Sequence, residues 1–253
     1  TLGPGNDVYF VGVVSDSTPF TSATLYSDND LDACFSFNVD NITVAADYDH
    51  VTVNQAKGVS SGEVYLTDLV VARVHPSGRF YVETQDRAMG MAVLGKGPMP
   101  GELVDVVGSV TSTADDERAL DLVHWLRNGN TSVPKALSMP NLSAGGAGTV
   151  GLQVGCDGSI GPNNIGLDVL VWGRVTAVAP DETWITIDDG SARTSGMGSE
   201  GVKIAAPWNS RTPPPPVGDY VFAKGSSSLH KVGSAHYPLV RVSSLFDINT
   251  YSP

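Results

Sequence analysis

The chain has 253 residues, of which 41% are hydrophobic, a composition that predicts a packed core and argues against a disordered polypeptide. Its 27 acidic residues outnumber 15 lysines and arginines, which gives a net charge of −12, and the cations are scattered singly along the sequence. Because nucleic acid is bound by clustered lysines and arginines that neutralise its phosphates, this charge pattern predicts that nucleic acid is not a partner.

Residues 1–61 are predicted to form an N-terminal β segment. The run VYFVGVV, which begins with Val8, Tyr9, Phe10 and Val11, is rich in β-branched and aromatic residues, and CFSFNVDNITV alternates apolar and polar residues. Such strands can complete the β domain that follows, form an added sheet or pair with another subunit. As an assembly arm, this run would add a strand to the open sheet edge of a neighbouring copy.

An acidic stretch within this segment, YSDNDLD, suggests a calcium site. Asp28, Asp30 and Asp32 stand at alternate positions, and carboxylate oxygens are the ligands that Ca²⁺ prefers. An EF-hand loop would have glycine at its sixth position and glutamate at its twelfth, where this chain has Ala33 and Val39. We therefore predict no required cofactor, with calcium at the three aspartates as an open hypothesis beside a solvated acidic loop.

Two later regions of the chain echo each other. VARVHP at 71–76 matches VTAVAP at 175–180, and FYVE and GMAV match ITID and GVKI further along. GELVDVVG at 101–108 then matches GDYVFAKG at 218–225. Four elements recur in the same order, and the differences fall in the loops between them. This pattern predicts two copies of one β unit.

The order of elements within each copy resembles the OB-fold, a five-stranded Greek-key barrel. We therefore predict an all-β chain with few or no long helices, in which two tandem OB-like barrels follow the N-terminal β segment. The expected boundaries are 62–127 for the first barrel, 128–165 for a connector and 166–253 for the second barrel.

The best candidate for a helix is ADDERALDLVHWLRNG, residues 114–129. Leu120, Val123 and Leu126 recur at three-residue spacing, which favours a helix, although the same residues can also continue a strand.

The connector is rich in glycine, serine, asparagine and proline. It is expected either to be a flexible linker or to lie over the barrels. Leu152, Gln153 and Cys156 favour partial docking.

Two short motifs narrow the resemblance. YVETQDR at 81–87 matches a Y-[IV]-E-x-x-D-R strand end, and NNIGLDVLVWGRVT at 163–176, followed by ITIDDGS, matches a second signature. Together they resemble uncharacterised secreted bacterial proteins with tandem OB-like units. The resemblance implies export and a β architecture, and it implies no activity.

The cysteines bear on the cellular compartment. A disulfide between Cys34 and Cys156 would close a long loop and would suit an exported protein, whereas two buried thiols are the alternative. No stretch approaches the roughly 20 apolar residues of a membrane helix. We therefore predict an extracellular or cell-surface protein without a membrane span.

The stretch TWITIDDGS presents two adjacent carboxylates, Asp188 and Asp189. They could form a catalytic pair, but an Asp-Gly sequence also ends a strand and makes a tight turn with a positive φ at Gly190. The other copy has Glu83 and Thr84 at these places, so the pair is not repeated. We favour the turn, assign no catalytic residue and predict that the protein is not an enzyme.

These observations together predict a non-enzymatic structural protein that binds itself in a filament, sheath or surface layer. The β-prone N-terminal run and the long loops rich in glycine, serine and proline favour this function. The alternative is a carbohydrate-binding or adhesive module in which glycans stack on Trp184 and Trp208, since both tryptophans lie at or near loops.

Overall fold

The computed structural model of the chain describes residues 48–252, in which nearly all regular structure is β-strand. These residues belong to Ala46–Pro253, one of the two units into which the chain divides. The assembly arm, the calcium site and one of the two cysteines lie outside the described residues and stay predictions. They comprise Val8, Tyr9, Phe10, Val11, Asp28, Asp30, Asp32 and Cys34.

A first barrel is built from five strands that follow a short N-terminal element. The element consists of β1 (Asp49–His50) and α1 (Val53–Gly58), and the barrel strands are β2 (Glu63–His75), β3 (Arg79–Glu83), β4 (Gly90–Leu94), β5 (Glu102–Ser112) and β6 (Arg118–Asn130). Their order is β2-β3-β4-β6-β5, and β5 pairs with β2 to close the sheet. Neighbouring barrel strands are antiparallel except β4 and β6, which are parallel.

A second barrel repeats this arrangement. Its elements are β7 (Leu137–Ser138), β8 (Asp168–Val178), β9 (Trp184–Asp188), β10 (Val202–Ala205), β11 (Tyr220–Val232), β12 (Ala235–Arg241) and β13 (Ile248–Tyr251), with 3₁₀ turns at Asn141–Ser143 and Leu245–Asp247. The order β8-β9-β10-β12-β11 closes through β11 and β8, and β10 and β12 are the parallel pair. The prediction of an all-β chain with two tandem OB-like barrels is confirmed.

The repeat extends to an irregularity in the first strand of each barrel. The pairing of β2 with β3 skips one residue between Val71 and Arg73, and the pairing of β8 with β9 skips one between Val175 and Ala177. Such a bulge bends and twists the strand, which helps a small barrel to close. The matching segments VARVHP and VTAVAP thus contain the same bend.

Strand residues alternate between the barrel core and the outer surface. On β3, Phe80 and Val82 point into the first core, and their counterparts on β9, Ile185 and Ile187, point into the second. All four side chains are fully buried. The correspondence of FYVE with ITID therefore reflects the same inward positions in two separate cores.

The helical interpretation of 114–129 is wrong, because β6 is a strand that pairs with β5 along its whole length. The spacing of Leu120, Val123 and Leu126 does not mark one buried face, since only Leu120 of the three is buried. The pairing of β6 with β5 skips one residue at Val123, so Leu122 and Trp125 both pack on the first core although three positions separate them. Val123 and Leu126 are left exposed.

Helix α1 stands in the segment predicted to be β. Thr52 and Gln55 form a capping box at its start, with Gln55 N–H donating to Thr52 Oγ1 at 3.2 Å and Thr52 N–H donating to Gln55 Oε1 at 2.8 Å. Its Lys57 is buried and donates through Nζ to the carbonyl of Ile165 at 2.7 Å. Burial lowers the pKa of Lys57 to about 8. The helix thereby fixes the start of the second barrel.

The connector is docked on the rest of the unit. Of the two alternatives, a flexible linker or a segment that lies over the barrels, the second is therefore the one observed. Gln153 is fully buried, and its Oε1 accepts a hydrogen bond from Arg118 N–H at 2.8 Å. Leu152 has an exposed side chain, but its backbone N–H donates to the Lys57 carbonyl at 2.8 Å. Backbone and amide hydrogen bonds thus hold this segment although it has few large apolar side chains.

Candidate ligand-binding cleft

One face of an OB barrel, formed by its second and third strands and the adjoining loops, commonly binds oligonucleotides or oligosaccharides. In the first barrel these strands are β3 and β4, whose outward-facing Tyr81 and Ala92 are 0% and 1% exposed. Glu117 accepts hydrogen bonds from the Tyr81 hydroxyl at 3.1 Å and from Ser228 Oγ of the second barrel at 2.6 Å. This face therefore packs against the second barrel and is closed to a ligand.

Residues of the two sequence motifs meet at this interface. Glu83, at the end of β3, accepts a hydrogen bond from the backbone N–H of Asp168 at the start of β8. Close by, a Cβ atom added at Gly90 or at Gly166 would overlap the backbone of the other. The motifs thus have a packing role in this chain, and the family resemblance stays a prediction.

In the second barrel part of the equivalent face is open, although Thr186, the counterpart of Tyr81, is also buried. An open cleft of about 440 Å³ lies on β9, β10 and the adjoining ends of β11 and β12. Its polar and aromatic lining includes Trp184, Lys203, His230, Lys231, Arg241 and Asp115. The cleft is in the size range of small-molecule sites and has their mixture of an aromatic surface and a few polar groups.

Trp184 and Lys203 form one wall of this cleft. Both are outward-facing residues of neighbouring strands, since Ile185 on β9 and Val202 and Ile204 on β10 point into the core. The Lys203 Nζ lies 5.2 Å from the centroid of the Trp184 ring, within range of a cation–π contact. Burial lowers the pKa of Lys203.

The opposite wall includes two cations that have carboxylate partners. Arg241 Nη2 lies 3.7 Å from Asp115 Oδ2, and Lys231 Nζ lies 2.7 Å from Asp116 Oδ2. Both aspartates belong to the loop between β5 and β6 of the first barrel, and Asp115 is held by a hydrogen bond from Lys231 N–H at 3.1 Å. The first barrel therefore completes the cleft of the second.

His230 contributes an unsatisfied hydrogen-bond acceptor. It is 5% exposed, and its Nε2 donates to the Ser195 carbonyl at 3.0 Å. Burial, followed by the charge of Lys203, lowers the pKa of His230 to about 4, so the ring is neutral at neutral pH. With the proton on Nε2, Nδ1 is an acceptor, and it is buried without a partner among the described residues.

The two tryptophans predicted to stack on a ligand have different places. Trp184 lines the cleft, whereas Trp208 is half-buried, packs against the second core and does not line the cleft. Cys156 is buried, and burial raises the pKa of its thiol to about 12. Because Cys34 lies outside the described residues, the proposed disulfide stays a prediction.

Asp188 and Asp189 organise the turn after β9, as their sequence predicted. Asp188 accepts hydrogen bonds from the backbone N–H groups of Gly190 at 3.0 Å and Ala192 at 3.1 Å, and Gly190 has a φ of 96°. Asp189 accepts from Asn141 N–H at 2.8 Å and thereby ties the connector to the turn. Within the described part of the chain, no group of three metal-ligating side chains is present.

A second surface of the second barrel is rich in exposed aromatic side chains. Tyr220 and Phe222 of β11 lie beside Tyr251 of β13, and the Phe222 and Tyr251 ring centroids are 5.9 Å apart. Trp172 of β8 is the partner of Phe222 on the other side. These four aromatic residues are called the aromatic face.

Known proteins resemble this chain at a distance. No protein-family model and no curated protein matches the chain. The structure of a murine DNA-binding protein bound to double-stranded DNA is similar over 76% of this chain and 100% of its own, with 9% identity and a TM-score of 0.36. A multidomain protein with nucleic-acid-binding domains from Streptococcus pneumoniae is similar over 70% of this chain and 45% of its own, with 11% identity and a TM-score of 0.19. Likeness at this level identifies no ligand for this chain.

The prediction that nucleic acid is not a partner was wrong as an exclusion, because it rested on the mean charge of the whole chain. The solved structures that resemble the chain are described by their binding of DNA or by nucleic-acid-binding domains, the class that the mean charge had excluded. Physically, a mean charge says little about one surface, because folding brings Lys203, Lys231 and Arg241 from distant positions into one cleft. Among residues 48–252, no helix is long and apolar enough to cross a membrane.

Sequence reasoning found Trp184 and missed the other polar residues of the cleft. The alternation of Val202, Lys203 and Ile204 marks Lys203 as an outward-facing residue of a strand, so that signal was present. No sequence pattern joins Asp115 of the first barrel to Arg241 of the second, because only the packing of the two barrels brings them together.

Proposed function

We propose that this chain is a binding protein that holds an oligosaccharide in the cleft of its second barrel, while the first barrel supports the cleft. The observation that carries the proposal is the contrast between the two equivalent faces. Ala92 on the first is buried, whereas its counterpart Lys203 on the second borders an open cleft. The sequence motifs support an extracellular or cell-surface location for this binding.

The chemistry of the cleft favours a sugar. Hydroxyl groups both donate and accept hydrogen bonds, and the cleft offers the donors Lys203 and Arg241 beside the acceptor Asp115. Trp184 adds an aromatic surface for the apolar face of a sugar ring. The same surface of an OB barrel also binds oligonucleotides, so single-stranded nucleic acid is the competing ligand in any test.

A glycan array and an oligonucleotide array, probed with the same labelled protein, test this proposal. We expect glycan binding that Trp184→Ala weakens about tenfold or more, since truncation of an aromatic contact residue often has effects of this size. Trp208→Ala is the matched control, because it removes a half-buried tryptophan outside the cleft. Binding of oligonucleotides alone, or glycan binding that both variants weaken equally, would contradict the proposal.

Self-association is a second candidate function, and the aromatic face favours it. Tyr220, Phe222 and Tyr251 are 49%, 39% and 60% exposed, and large exposed apolar side chains that adjoin one another commonly mark interaction surfaces. The outer edge of β13 has no strand partner among the described residues. A structural assembly built through this face stays compatible with ligand binding in the cleft.

A further inference from the structure

Three residues on neighbouring strands form a row across the cleft, from one wall to the other. Trp184 of β9 is in register with Ala205 of β10, which is in register with Arg241 of β12. Neighbouring strands are about 4.8 Å apart, so roughly 10 Å separate the backbones of Trp184 and Arg241. The small side chain of Ala205 leaves room between them for one sugar ring.

Lys203 adds a positive charge beside this row. It lies two residues before Ala205 on the same face of β10, about 7 Å along the strand. Unlike Lys231 and Arg241, it has no carboxylate within 4.0 Å among the described residues. A half-buried cation without a carboxylate partner is best stabilised by an anionic group of the ligand.

We infer that the bound oligosaccharide is acidic and that Lys203 and Arg241 bind its carboxylate over Ala205. This inference rests on the proposed function and adds the class of sugar. A uronic acid residue has the required groups on one ring: a carboxylate, hydroxyl donors and an apolar face for Trp184.

The flanking charges limit how much negative charge the cleft accepts. Asp115 borders the cleft and Asp116 lies just beyond Lys231. A carboxylate at Lys203 and Arg241 is matched by two cations, whereas a further anionic group nearer Lys231 would face both aspartates. The cleft therefore suits a glycan in which acidic residues alternate with neutral ones.

The test compares the same uronate-containing oligosaccharides before and after chemical reduction of their carboxyl groups. Carboxyl reduction keeps the linkages and the ring hydroxyls but removes the charge. By titration calorimetry we expect at least about tenfold weaker binding after reduction, since hydrogen bonds to charged groups are of this strength. Lys203→Met should reduce this preference, because only Arg241 then remains for the carboxylate, and Lys224→Met, which alters a lysine outside the cleft, should leave it unchanged.

The outcomes separate this inference from the function on which it rests. Equal binding of the acidic and reduced glycans overturns the inference and leaves oligosaccharide binding in place. A preference for the acidic glycan that Lys203→Met leaves unchanged overturns the assignment of the carboxylate to Lys203. Binding of a single-stranded oligothymidylate with no glycan binding overturns both the inference and the proposed function.

Discussion

Arg73 of β2 and Asp168 of β8 join the first strands of the two barrels, with 2.7 Å between Arg73 Nε and Asp168 Oδ1. Their side chains are 6% and 1% exposed, and Arg73 also contacts Asp247 at 2.5 Å. The position of Arg73 directly after the β2 bulge points its side chain at the second barrel. This ion pair lies in an interface that also closes the ligand face of the first barrel, so it helps to decide which barrel can bind.

Arg73→Met is therefore expected to destabilise the unit strongly. The substitution leaves Asp168 buried without its cation, and loss of one partner of a buried ion pair costs about 3–5 kcal/mol. The double variant Arg73→Met, Asp168→Leu should recover part of this loss, because it removes both buried charges. Urea unfolding measures both; a single variant within about 1 kcal/mol of wild type would contradict the assigned role.

Glu83 gives the same interface a pH dependence. Burial, with a contribution from the nearby charge of Asp168, raises the pKa of Glu83 to about 7. A carboxyl whose pKa is raised on folding binds its proton more tightly in the folded chain, so its contribution to stability is complete below its ordinary pKa of 4.5. That contribution is lost as the pH rises to about 7.

Glu83→Gln should therefore gain stability relative to wild type as the pH rises. Glutamine keeps an oxygen that can accept from Asp168 N–H and cannot ionise. We expect the difference in Tm, variant minus wild type, to be more positive at pH 8 than at pH 5 by a few degrees. Glu63→Gln, at an exposed position, is the control. A difference that is the same at both pH values would refute the role of Glu83.

Alanine substitutions at Gly166 and Gly62 test how closely the two barrels approach each other. Both have positive φ, 97° and 117°, so alanine at either position carries backbone strain of about 1–2 kcal/mol. Only at Gly166 would the added Cβ overlap another backbone, that of Gly90; nothing lies within 4 Å at Gly62. We expect Gly166→Ala to lose about 1–3 kcal/mol more than Gly62→Ala in urea unfolding. Equal losses would show that the approach is looser than described.

The fold could be predicted from the sequence because its signals are local and occur twice. Phe80 and Val82 alternate with polar or outward-facing residues just as Ile185 and Ile187 do, and Gly101 and Gly108 are spaced as Gly218 and Gly225 are. Helix and strand both stayed open for 114–129, because the sequence does not show the bulge at Val123, which depends on the partner strand.

The site could be predicted only in part, because it depends on contacts between distant residues. Trp184 was recognisable as an aromatic residue at the start of a strand. Asp115 and Arg241 are neighbours only because the first barrel packs on the second. The same packing buries Tyr81, which, judged on strand position alone, is as good a ligand-stacking residue as Trp184.

The aromatic face predicts reversible self-association. The double variant Phe222→Ser, Tyr251→Ser removes two large exposed side chains whose rings are in contact, and it should weaken association about tenfold or more in sedimentation velocity. Leu152→Ser removes one exposed apolar side chain from the connector and should leave association unchanged. Because Phe222 and Tyr251 do not line the cleft, the double variant should keep its affinity for glycan. A wild-type chain that stays monomeric at every concentration, with and without calcium, would remove the structural assembly from consideration and leave the binding function intact.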